Sequence, residues 1–239
     1  MLDIDKHKFY LVSILKDIYA DTELATALGF KGGTAHMLFY DLPRFSVDLD
    51  FNLLVPNKSE KVYQKIRKIL LNYGQIRDEA TKHFGLLLVL DYGAKERNLK
   101  IEISNREFAD SYEMKNYLGI AVKVMVKPDM FAHKLCALLD RNMIANRDIF
   151  DVYYFMHQKT PLNKNIVEKR MNMEVKQYMD VCIKKIEKLP GKNLLNGIGE
   201  LVDHNLKTFV RENLKAETIQ LLKIYREFPL FSENSGLKK

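Results

Sequence analysis

Apolar residues near the start of the chain recur at helical spacing. Phe9, Leu11, Val12, Leu15 and Ile18 predict a helix over residues 7–20. Asp21 or Thr22 can cap a short second helix, TELATAL, which Gly29 is expected to end. FKGGTAHMLFY (30–40) reads as a short approach, a double-glycine turn and a helix stopped by Pro43. DLDFNLLV (48–55) alternates carboxylates with apolar residues and predicts a strand with Asp48 and Asp50 on one face. A helix with a basic outer side follows over 58–73, then strand-like runs at 84–92, 98–104 and 121–127. After Pro128 the spacing becomes helical, in MFAHKLCALLDR, in RDIFDVYYFMHQ and in two or three more helices through 163–228. LPGKN (189–193), Gly197 and Gly199 mark turns, and the last ten residues are polar and expected to fray. The pattern therefore predicts an α/β part over 1–127 and a helical part over 128–239, with no internal repeat and no flexible linker.

Composition narrows the class. A chain of 239 residues that is 47% hydrophobic can build one large core or two small ones. Lys16 and Asp17 interrupt the apolar residues near the N-terminus, so no signal peptide is expected. The longest apolar run, Phe84 to Leu90, is too short to cross a bilayer, so no membrane partner is expected. Cys136 and Cys182 have no metal-ligand spacing and suggest a reducing, cytoplasmic setting. A net charge of +7 and a pI near 9.1 suit a polyanionic partner such as a nucleic acid or a nucleoside triphosphate. Mild basicity also occurs without such a partner.

The densest chemistry lies in GGTAHMLFYDLPRFSVDLDF (32–51). A turn through Gly32 and Gly33 lets backbone N–H groups approach a phosphate, and the following helix N-terminus favours negative charge. Asp48 and Asp50 are two positions apart on a strand, so their Cα atoms stand about 7 Å apart on one side. Two such acids repel unless a cation lies between them. Mg²⁺ takes carboxylate oxygens and leaves positions open for substrate phosphates, as in-line phosphoryl displacement requires. A solvated strand face would also alternate acids, and the double-glycine turn and helix in the same window favour the functional reading over it. Arg44 can hold a phosphate or brace Asp48. Ser46, two positions before Asp48, would face the same side and reach the triphosphate.

This window resembles the nucleotidyltransferase superfamily signature, in which a Gly-Gly or Gly-Ser turn and a helix lead to an Asp-x-Asp strand. KGGTAHMLFYDLPRFSVDLDF is closer still to the AbiEii-type toxins of type IV toxin–antitoxin systems, with their GG-T-x-L and R-x-S-x-D-h-D spellings. The fourteen residues between Gly33 and Asp48 suit that variant. The resemblance resumes in HKLCALLDRNMIANRDIFDVYYF (133–155), which is similar to K-L-x-A-L…R…R-D-x-x-D. It implies an α+β fold: a polymerase-β-like core with a mixed sheet, then a helical C-terminal lobe.

It also implies site roles. Asp48 and Asp50 would hold Mg²⁺, and Gly32, Gly33, Thr34, Arg44 and Ser46 would contact the NTP. A third carboxylate is common on a neighbouring strand. Glu102 in LKIEIS fits it better than Asp91, which stands at the end of its run, and Glu102 could act as general base. Lys134 would neutralise triphosphate charge, with Asp148 and Asp151 orienting it or binding base or ribose. Lys134, Arg141 and Asp148 are seven apart and would share a face on a continuous helix, though Asn142 to Asn146 can break it. Otherwise these charges, with Arg147, form an ordinary surface or scaffold cluster.

His36 and His133 lack the spacing of a zinc pair. No G-x-S-x-G, Walker A lysine or H-R-D loop is present. The resemblance implies transfer of a nucleoside monophosphate from an NTP to a hydroxyl, on an RNA acceptor such as a tRNA 3′ end. The enzyme would act as the toxin of a pair with a cognate antitoxin. Two alternatives stand beside it: a transferase acting on a protein or small molecule, and a non-catalytic nucleotide-binding module.

Overall fold

A computed structural model of the chain describes residues 2–93, 97–140 and 143–232. They divide into two compact units: one runs to Glu107 and adds Tyr112–Met125, the other comprises Phe108–Ser111 and the chain from Val126 onward.

The first unit is built on one sheet. Helices α1 (Ile4–Ala20) and α2 (Thr22–Ala27) precede strand β1 (Leu28–Lys31) and helix α3 (Gly32–Phe39). Strand β2 (Asp48–Leu53), a 3₁₀ turn (Pro56–Lys58) and helix α4 (Ser59–Leu70) follow. Strands β3 (Gln75–Lys82), β4 (Gly85–Asp91), β5 (Leu99–Ser104), β6 (Tyr112–Tyr117) and β7 (Ile120–Met125) complete it. The order is β3-β4-β5-β2-β1-β7-β6, with β2 parallel to β5 and β1 parallel to β7, so the sheet is mixed as expected. Leu49, Phe51, Ile101 and Ile103 are buried, and Tyr19 of α1 meets Phe51 with ring centroids 6.5 Å apart. Side chains alternate along a strand, so Asp48 and Asp50 share the opposite face.

Several elements depart from the sequence reading. Gly29 does not end a helix; it lies inside β1, where a Cβ would fall 2.2 Å from a ring carbon of Tyr112. Helix α1 begins earlier than expected, on an Asp3 cap that accepts from the Lys6 N–H at 3.0 Å. Phe9 leaves the apolar stripe and is 65% exposed, while His7 and Ile14 are buried in it. Strands β3 and β6 were not anticipated, because both are edge strands of largely polar composition.

The second unit is helical among its described residues: α5 (Lys127–Ala137), α6 (Asn146–His157), α7 (Lys164–Met171), α8 (Val175–Glu187), α9 (His204–Glu212) and α10 (Leu214–Glu227). Four helices, not two or three, occupy 163–228, because Asn213 alone separates α9 from α10. Pro128 stands in the first turn of α5, where its missing N–H costs nothing. Phe131 stacks on Phe155 at 5.2 Å and meets Tyr225 edge-on at 5.9 Å in the core. Asp129 is buried and accepts from the Ser111 N–H and the Asn163 amide, both at 2.7 Å, tying α5 to 108–111 and to the start of α7.

Candidate active site

In the first unit the glycine turn, the loop before β2 and the start of β2 converge. Lys31 ends β1 in extended conformation and Gly32 turns the chain at φ +81°, which an L side chain rarely adopts. A Cβ on Gly32 would lie 2.2 Å from the Asp50 Oδ2, so the carboxylate rests directly against the glycine. A Cβ on Gly33 would lie 2.6 Å from the Ser46 Oγ and 3.0 Å from an Arg44 Nη. Thr34 donates its hydroxyl to the Asp48 carbonyl. The side chain of Lys31, at the N-cap, makes no capping bond to α3, and the N-terminus of a helix suits an anion.

Arg44 and Ser46 are not on β2, which starts at Asp48. They lie in the loop before it, both buried, and Arg44 also donates to the Phe45 carbonyl at 3.0 Å. On the other side, the buried ring of His7 donates from Nε2 to the Val47 carbonyl at 2.9 Å. Its Nδ1 accepts from the Tyr92 hydroxyl at 2.5 Å. Burial holds the His7 pKa below its usual value, so the ring is neutral at physiological pH. The Val47–Asp48 segment is thus held from α1 through His7 and from α3 through Thr34.

Strand pairing sets the candidate third acid beside the pair. In the parallel ladder Asp50 pairs with Glu102 and Asp48 with Lys100, while Lys31 faces Asp50 from β1. Cross-strand partners share a face at about 4.8 Å separation, so Glu102 stands beside Asp50. Asp91 is at the end of β4, two strands from β2, where its carboxylate accepts from the Gly93 N–H at 2.9 Å. The sequence reading passed over Lys31 and Lys100, because only the register sets them beside the acids.

These residues fit a hard divalent cation. All three side chains offer carboxylate oxygens, and Asp50 occupies the space left by the missing side chain at residue 32. Among the described residues no three His, Cys, Asp or Glu side chains are already gathered tightly enough to hold an ion. Mg²⁺ is commonly held by one or two carboxylates, with substrate phosphates and water completing its shell. The acids would supply that share.

The second unit carries the other cluster. Helix α5 ends at Ala137 and α6 begins at Asn146, so Lys134 and Asp148 stand on two helices. The Lys134 Nζ lies 2.8 Å from an Asp151 oxygen and 3.3 Å from the Asp148 Oδ1. All three are largely buried, which excludes an ordinary surface cluster. The Asp148 Oδ2 is buried and has no hydrogen-bond partner among the described residues. Arg141 lies outside the described residues, and Arg147 is half-buried on α6. His133 donates from Nε2 to Asp110 at 2.7 Å and accepts at Nδ1 from Arg170 at 2.8 Å, so both its nitrogens serve the scaffold. His36 is buried on α3 beside the Tyr40 ring.

The sequence matches the family described as nucleotidyl transferase AbiEii toxin, type IV TA system, over residues 13–223. The chain belongs to this family. Membership confirms the resemblance read from the two motif windows, makes the chain a nucleotidyltransferase-family toxin and implies an antitoxin partner. Two solved structures from Helicobacter pylori share the fold. JHP933 is 20% identical, with a TM-score of 0.63 over 96% of this chain and 94% of its own. The second, provisionally assigned as a nucleotidyltransferase, is 20% identical with a TM-score of 0.64 over 96% of this chain and 97% of its own. A search of curated protein sequences found no match. No helix among the described residues of this AbiEii-family chain is long and apolar enough to cross a membrane.

Proposed function

We propose that this toxin is a Mg²⁺-dependent enzyme that transfers a nucleoside monophosphate from an NTP to a hydroxyl of RNA, at a tRNA 3′ end. The observation that supports the chemistry most is the register that sets Glu102 beside Asp50 on the face shared with Asp48. The acceptor hydroxyl attacks the α-phosphorus, the bond from that phosphorus to the bridging oxygen breaks, and pyrophosphate leaves. Bound Mg²⁺ would supply charge neutralisation at the transferring phosphoryl group. Asp48 and Asp50 would hold it. Glu102 would support it and take the proton of the attacking hydroxyl. The start of α3, with Gly32, Gly33 and Thr34, would receive a phosphate, and Arg44 and Ser46 would shape that seat. Lys134, Asp148 and Asp151 are assigned to the nucleotide on the strength of the family motif, and the net charge of +7 favours a polyanionic acceptor.

The test is incubation with each α-labelled NTP, magnesium and total RNA. Label on RNA that disappears with EDTA, and with Asp48→Ala or Asp50→Ala, supports the proposal. Label on protein or a small molecule would remove RNA as acceptor. Full transfer in EDTA, or in either aspartate variant, would remove the metal assignment.

A further inference from the structure

At the far end of β5 lies a feature that the transfer chemistry does not use. Phe84, in the turn between β3 and β4, is 52% exposed. Its backbone is nonetheless fixed. The Asn105 N–H donates to the Phe84 carbonyl at 3.2 Å, and the Asn105 side-chain amide donates to the His83 carbonyl at 3.3 Å. The Arg106 guanidinium lies over the Phe84 ring, 4.4 Å from its centroid, and the His83 ring meets Phe84 edge-on at 4.4 Å. Both neighbours are exposed. A large apolar ring is thus held out to solvent on a pinned backbone, bracketed by a cation and a second ring.

We propose that Phe84, Arg106 and His83 form a stacking platform for an unpaired base of the single-stranded RNA acceptor. This rests on the RNA reading above and extends it to a binding subsite. Unpaired bases are recognised by stacking on aromatic rings and guanidinium planes, which is tolerant of sequence. A cation at the platform favours a polyanionic strand over a neutral peptide. Position agrees as well. Arg106 follows Glu102 by four residues, two of them past the end of β5 at Ser104, so the two lie at most roughly 13 Å apart along the backbone at strand rise. Each strand of a stacked duplex advances roughly 3.4 Å per nucleotide, and at a comparable rise the platform would take a base a few nucleotides from the reacting end.

The protein contains no tryptophan, so Phe84→Trp installs a single indole at the platform. Titration with a single-stranded RNA oligonucleotide should quench its fluorescence, and mononucleotides should not. Phe84→Ala and Arg106→Ala should raise the KM for RNA roughly ten- to a hundredfold and leave the KM for NTP and thermal stability unchanged. Phe84→Tyr should retain wild-type behaviour. If wild-type enzyme labels RNA, while Phe84→Trp shows no quenching and Phe84→Ala keeps its RNA KM, the platform is wrong and the acceptor reading stands. If wild-type enzyme transfers label elsewhere and never binds RNA, the acceptor reading falls and takes the platform with it.

Discussion

The carboxylate of Asp50 occupies the space that a side chain on residue 32 would need: a Cβ built there would lie 2.2 Å from Oδ2. Gly32 also sits at φ +81°, so Gly32→Ala meets two penalties at once. The backbone strain costs about 1–2 kcal/mol of stability, visible as a lowered denaturation midpoint. The displaced carboxylate costs more in function, since a shift of about 1 Å near reacting groups can lower turnover about a hundredfold. Rate of labelled NMP transfer against denaturation midpoint separates the two. An Ala variant with wild-type turnover would show that the Asp50 position is immaterial.

The sequence announced this neighbourhood unevenly. Asp48 and Asp50 stood out because alternation with Leu49 and Phe51 is a local pattern. Glu102 was visible in LKIEIS for the same reason, but its pairing with Asp50 is a contact across the sheet that no local pattern encodes. Lys100 and Lys31 were illegible until that register was known. Strand β1 was missed because it has four residues and Gly29 looked like a helix stop. Tyr112, far along the chain, is what requires a glycine there. Edge strands β3 and β6 bury too little to alternate. Ser46 looked like an extended neighbour of Asp48, yet it and Arg44 lie in the loop before β2 and pack on Gly33, a tertiary contact that overrides local spacing.

Acid should weaken the anchor of β2. His7 is buried, and desolvation lowers its pKa below the usual 6.5 despite its bond to the Val47 carbonyl. Between that lowered value and 6.5 the unfolded chain binds more protons than the folded one. Stability from His7 is therefore fully present above 6.5 and is lost as pH falls through this window. Urea denaturation from neutral pH to about pH 5 should show declining stability. His7→Gln should be less stable at neutral pH but follow a shallower slope. An equal slope in both proteins would assign the acid sensitivity to other groups.

The two thiols should be inert in the folded protein. Burial pushes both Cys136 and Cys182 up to about 12, so almost no thiolate exists at neutral pH. Iodoacetamide should leave the native chain unmodified over hours and modify both cysteines in denaturant, as mass spectrometry would report. Rapid labelling under native conditions would mean that the helical unit opens far more readily than its packing implies.

Lys134 and its two aspartates allow nucleotide binding to be separated from stability. With Lys134 exposed on a helix, Lys134→Ala would be structurally neutral; its burial between Asp148 and Asp151 predicts otherwise. Truncating it leaves buried carboxylates uncompensated, which costs about 3–5 kcal/mol. Loss of activity in that variant would therefore say little about NTP. The aspartates divide the roles. Asp151 has the shorter contact, 2.8 Å, and its side chain is fully buried, so Asp151→Asn should destabilise the fold about as severely as Lys134→Ala. Asp148 makes the longer contact, 3.3 Å through Oδ1, and its Oδ2 keeps an acceptor unspent among the described residues. Such an oxygen suits a donor on the nucleotide, a ribose hydroxyl or a base amine. Asp148→Asn keeps shape and volume and should change the denaturation midpoint little, while raising the KM for NTP roughly tenfold, the effect of one charge-assisted hydrogen bond. Equal loss of stability in the two asparagine variants would place both aspartates in the scaffold and remove Asp148 from the nucleotide site.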